Sequence, residues 1–166
     1  MMSAAQSPRF SAVVALNGPY NLQLSLADMA QSQRILGGNT IDAVSGARWL
    51  ETGQAGMLRP YWTDPERYRR GSPFEQADRI RTPILLFHGE LDFLGFHTEQ
   101  MYAALVRLHR PVALTYLFGE DHSVHNPGNA RVYYDQLTAW FDQYLRPDER
   151  RSGPSTAEAR LRSAPG

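Results

Sequence analysis

No cysteine occurs among the 166 residues, which excludes disulfides, thiolate metal centres and a cysteine nucleophile. Lysine is absent as well: all 17 basic side chains are arginines, and they are scattered rather than gathered on one element. Against 17 acidic residues they leave no net charge, so neither nucleic acid nor an anionic membrane surface is an expected partner. Long apolar runs are missing too, and "AVVAL" and "PILLF" are far too short to cross a bilayer. The N-terminal "MMSAAQSPRF" has neither the basic nor the apolar region of a signal peptide, so the compartment is left open. What remains is 42% hydrophobic and 20% charged, the make-up of one soluble domain with a single sizeable core.

Along the chain, "FSAVVAL" reads as a buried strand stopped by Asn17-Gly18-Pro19. A loose helical period through Leu22, Leu26, Met29 and Ile35 ends at Gly37-Gly38-Asn39. Residues 40–72 are irregular, with short helical pieces around Trp49, Leu50 and Tyr68 and a turn at Asp64-Pro65. "TPILLFHG" is the strongest strand signal, continuous and apolar as a strand buried on both faces must be. A helix over "HTEQMYAALVRLH" follows, then a strand "VALTYLF". The last helix, "NARVYYDQLTAWFDQYL", is expected to take Asn129 as its N-cap and to pack Trp140, Phe141 and Tyr144 into the core. Residues 146–166 have little to bury and are expected to form a disordered tail after a domain spanning 1–145. Alternating strands and long helices imply an α/β fold, a parallel sheet with flanking helices. Three strands make an incomplete sheet whose open edge invites self-association.

In open α/β sheets the chemistry gathers on loops at the carboxyl ends of strands. Asp92 follows one strand and His122 the next, so both fall on one edge of the sheet. If the strands are neighbours, about 4.8 Å apart, carboxylate and imidazole can meet. An Asp that accepts a hydrogen bond from one ring nitrogen fixes the tautomer and frees the other nitrogen as a base.

"SPFEQADRIRTPILLFHGELD", "EQMYAAL" and "PVALTYLFGEDHS", followed by "YDQLTAWFDQYL", resemble the C-terminal half of the prolyl oligopeptidase family of serine peptidases. The resemblance covers most of residues 8–145. It implies an α/β-hydrolase fold, Asp92 as triad acid, His122 as triad base, and a peptide substrate for the full enzyme. Two departures stand out. Where the family runs on to Val-Pro after the acid, this chain has Phe93, Leu94, Gly95 and Phe96. The Gly-x-Ser-x-Gly turn that bears the nucleophile occurs nowhere in the chain, and neither Ser45 nor Ser72 stands between a strand and a helix as the turn requires. The resemblance therefore places the nucleophile upstream of Met1 and implies that the 166 residues alone are inactive. A late-called start, a truncated gene and a remnant are all compatible with that reading.

The remaining polar side chains draw plainer expectations. His125 is the rival base, His88 a core histidine at a strand end, and His97 and His109 solvated helix positions. Tyr20 is placed at the rim of the site, near substrate. A metal built from His88, Asp92, His122 and His125 is disfavoured, since no helical histidine pair is present, and no cofactor is expected. Two other readings stay open: a broader α/β-hydrolase such as an esterase or acyl-peptide hydrolase, and a non-catalytic interaction module built on the half-sheet.

Overall fold

The computed structural model describes residues 1–25 and 48–146. The helical period through Leu26, Met29 and Ile35, its glycine stop, Ser45 and the tail beyond Arg146 lie outside them.

Three parallel strands form the sheet in the order β1 (Val13–Leu16), β2 (Ile84–Gly89), β3 (Val112–Leu117). β2 is central and every one of its residues is buried, as its unbroken apolar run requires. Side chains alternate across it. Ile84 and Leu86 meet Tyr20, Ala77, Ile80, Met101 and Leu105 on one face. Leu85 and Phe87 join Leu117 on the other, against Tyr133 and Trp140.

Among the described residues the outer strands have a neighbour on one side only, and β1, expected to be buried, is half-buried along its length. The last helix also differs from expectation. α4 (Pro127–Leu145) has no fully buried residue, because a three-stranded face is narrow and offers it few contacts. Its Tyr133 ring lies 4.6 Å from Phe87, while Val132, which shares the helical spacing of Trp140 and Tyr144, faces solvent. Its cap is Asn126, whose side chain accepts from Gly128 N at 2.7 Å, rather than Asn129. With Pro127 in the first turn the cap lies three residues earlier than an Asn129 cap would place it.

α1 (Met2–Gln6) packs against a 3₁₀ segment, Pro73–Arg79. α2 (Pro65–Gly71) begins at Asp64, which accepts from Arg67 N at 3.1 Å, and it buries Tyr68 against Leu22, Leu50 and Met57. α3 (Gly95–Arg107) lies on the Ile84/Leu86 face through Met101 and Leu105. His109 is exposed, but it ends this helix rather than riding on it. Its φ of 55° is the left-handed cap conformation, and Arg110 N bonds back to Leu105 O at 2.9 Å. No helix among the described residues is long and apolar enough to cross a membrane.

Because all three strands run the same way, Asn17, Gly89 and Phe118 emerge together at the carboxyl edge of the sheet.

Candidate active site

The acid loop starts where β2 ends. A tight turn closes with Asp92 N donating to Gly89 O at 2.9 Å, so Asp92 turns back over the sheet edge. One carboxylate oxygen, Oδ1, accepts from Leu94 N at 2.7 Å and fixes the entry to α3. The other, Oδ2, lies 2.6 Å from Nδ1 of His122. The Asp92 side chain is wholly buried whereas that of His122 is 60% exposed. Among the described residues no partner takes Nε2 of His122. A buried carboxylate on Nδ1 holds the proton there and leaves Nε2 as an acceptor facing outward, the arrangement a general base needs. The Phe93 ring lies parallel to the imidazole, 6.0 Å away with 16° between planes.

The base loop is held by a second carboxylate. Glu120 is buried just before His122. Its Oε2 accepts from His125 N at 2.8 Å, and its Oε1 from Asn126 N at 2.9 Å and Asn129 Nδ2 at 2.7 Å. Asn129 also donates to Phe118 O at 3.0 Å, so the residue expected to cap α4 instead ties that helix to the loop. The two loops are stitched to each other as well: Leu91 N donates to Glu120 O at 2.9 Å and Gly119 N to Glu90 Oε2 at 3.0 Å. In the sequence Glu120 stands out only as part of "GEDHS". A carboxylate preceding a loop that closes on two asparagines was the signal for its role.

The His125 amide, above all, and then the Asn129 side chain hold the Glu120 carboxyl below its usual 4.5. Its folded value lies below its unfolded one, so this latch is fully present above that range and is lost as pH falls through the folded value. Glu120→Gln, which removes the charge, is expected to speed amide hydrogen exchange at His125 and Asn126 by roughly tenfold at neutral pH. Acidifying the unaltered chain through the Glu120 pKa should lower the protection of the same amides relative to their intrinsic exchange rate, which itself slows in acid. Protection that is unchanged in both experiments would remove Glu120 from the account.

The other sequence candidates sit elsewhere. His125 pairs with Asp121 at 3.5 Å, exposed and away from Asp92. His88 lies beneath the site, its Nδ1 3.3 Å from Thr98 Oγ1 and its ring edge-on to Tyr116. Burial lowers its pKa, against the opposing pull of Asp92. His97 is not solvated: it is fully buried, accepts from Asn21 N at 3.1 Å and lies 3.5 Å from Ser25 Oγ. The apolar period of α3 sets Met101 and Leu105 on its inner face, and His97, four residues before Met101, falls on the same side. Tyr20 does not line a rim. It is 3% exposed, packed with Ile80 and Ile84, its ring folded back over Gly18 so closely that a Cβ there would lie 2.6 Å from it. The turn "NGPY" carries the ring inward because Gly18 leaves room for it. No cluster of metal-ligating side chains exists among the described residues.

Comparison with known proteins agrees with this architecture. Dipeptidyl-peptidase 5 of Porphyromonas gingivalis is 28% identical over 144 residues, covering 83% of this chain and 18% of that protein. The uncharacterized peptidase YtmA of Bacillus subtilis is 36% identical over 78 residues, 46% of this chain and 30% of YtmA. A puromycin-hydrolyzing peptidase of Mycobacterium tuberculosis superimposes with a TM-score of 0.70 at 23% identity, over 86% of this chain and 20% of its own. The acylaminoacyl peptidase of Pyrococcus horikoshii gives 0.65 at 20% identity, over 86% and 21%. At such identities the structural likeness speaks for the fold. The chain spans about a fifth of dipeptidyl-peptidase 5 and of both solved structures, and under a third of YtmA. Residues 1–148 match the prolyl oligopeptidase family, and the chain belongs to that family.

Proposed function

We propose that this chain is the acid–base portion of a serine peptidase, with Asp92 as the acid and His122 as the base of its triad. The observation that carries the reading is the 2.6 Å contact between a fully buried carboxylate and an exposed imidazole on adjacent loops, in a chain of this family. The nucleophile is a serine outside these 166 residues, since they contain no Gly-x-Ser-x-Gly turn. On binding a peptide, Nε2 of His122 takes the serine proton as its oxygen attacks the scissile carbonyl. Asp92 stabilises the imidazolium that forms, and His122 returns the proton to the leaving amine. Water repeats the cycle to release the acyl group. The 166 residues alone are inactive, because they lack the attacking oxygen and the backbone donor that follows it.

β1 is where the missing part would dock. Val13 N and Asn17 N bond to Pro83 O and Phe87 O of the neighbouring chain segment, so by alternation Val14 and Leu16 present their N–H groups away from β2. A parallel strand carrying the nucleophile would pair there, and a second copy of the chain is the competing occupant.

The test is a chimera in which residues 1–145 replace the matching segment of the Porphyromonas gingivalis relative. It is expected to hydrolyse a dipeptide amide and to be labelled by a fluorophosphonate. A folded, labelled chimera whose activity survives His122→Ala would overturn the proposal.

A further inference from the structure

Asn17 is the first residue beyond β1, is 4% exposed and has a φ of 47°, a left-handed conformation that asparagine tolerates better than most residues. Its main chain still belongs to the sheet, Asn17 N donating to Phe87 O at 3.1 Å. Its side chain leaves the sheet and bridges two other loops. Oδ1 accepts from Gly89 N at 2.9 Å, and Nδ2 donates to Asp121 O at 3.0 Å. An N–H and a carbonyl as partners leave the amide one possible orientation. Gly89 stands three residues before Asp92, and Asp121 is joined directly to His122. One buried side chain thus holds, at the same time, the root of the acid loop and the residue next to the base.

From this geometry we infer that Asn17 is a positioning residue for the candidate triad, setting the separation at which Asp92 meets Nδ1 of His122; the inference rests on the acid–base reading above. Asn17 touches neither ring nor carboxylate of the pair. It acts through the backbone of both loops, whose hydrogen bonds to it replace water that a buried turn could not reach. Without it the loops keep Leu91–Glu120 and Gly119–Glu90 as links, so the fold survives while the spacing of the pair loosens.

The readout is the tautomer of His122 in the full 166-residue chain, from ring ¹⁵N shifts at a pH where the ring is neutral. The Asp92 contact favours the Nδ1–H form, and Asp92→Asn should abolish that preference. Asn17→Gly keeps the left-handed backbone and deletes both side-chain bonds. It is expected to lower the Nδ1–H to Nε2–H ratio roughly fivefold, the size of one hydrogen bond's net contribution. Where Asn17→Gly does not fold, Asn17→Asp serves, since it still accepts from Gly89 N but sets an oxygen against Asp121 O; the ratio should fall in the same direction. An unchanged ratio in a folded variant, with the preference still lost in Asp92→Asn, overturns the role of Asn17 and leaves the pair standing. No Nδ1–H preference in the unaltered chain overturns both.

Discussion

Replacing Asp92 with asparagine is expected to lower peptide hydrolysis by about 10⁴-fold in the chimera that supplies a nucleophile, with KM nearly unchanged. The asparagine oxygen can still accept from Leu94 N, so the turn into α3 survives. The group facing His122 becomes an amide, and if its NH₂ points at Nδ1 the ring must carry its proton on Nε2. That nitrogen is the one that has to accept the serine proton, so the base is lost without moving an atom of the loop. His122→Ala should cost at least as much, since both proton transfers pass through the ring. Steady-state rates on a dipeptide amide check both. Losses under tenfold, with fluorophosphonate labelling intact, would mean that another group is the base.

Gly89→Ala is expected to be the most damaging single methyl in the described part of the chain. A Cβ at Gly89 would run into the carbonyl of Asp121 and lie 2.8 Å from that of Glu120. Both are main-chain atoms of the base loop, which cannot rotate away as a side chain could. Either the loop shifts, breaking the bonds from Asn17 and Leu91, or β2 withdraws from the sheet edge. A cost of at least about 3 kcal/mol follows, a fall of roughly 10 °C in Tm. Gly119→Ala is the control. Gly119 sits at φ 76° with nothing within 4 Å of a Cβ, so alanine there suffers only backbone strain, about 1 kcal/mol. Thermal unfolding of the two variants separates crowding from conformation. Equal Tm losses would refute the contact between the loops.

The parts of this structure that were legible in the sequence are those governed by local pattern. "TPILLFHG" carries the strongest strand signal, with the unbroken apolar run of a strand buried on both faces, and Ile84–Gly89 is the buried central strand. Asp92 and His122 were recognisable because each follows a strand within a short turn, and parallel strands bring such turns to one edge. What escaped notice depends on contacts distant in sequence. Asn17 looks like an ordinary turn residue, and only pairing β1 with β2 places its amide between residues 89 and 121. His97 looked like a polar residue on an exposed helix face, yet residues 21 and 25 close over it from the loop after β1. Tyr20 looked like a rim residue, but the missing Cβ of Gly18 lets its ring turn into the core. The spacing of the aromatic stripe of α4 points to core packing. Spacing says which side of a helix is apolar, and the width of the sheet beneath decides how deeply that side is buried.

Intact mass after incubation with a fluorophosphonate, on the 166-residue chain and on the chimera, tests the central claim most directly. The account predicts no adduct on the chain alone. It predicts one adduct per chimera, on the serine that the relative contributes, lost in His122→Ala. A stoichiometric adduct on the 166-residue chain that disappears in His122→Ala would contradict it, for the nucleophile would then lie within these residues.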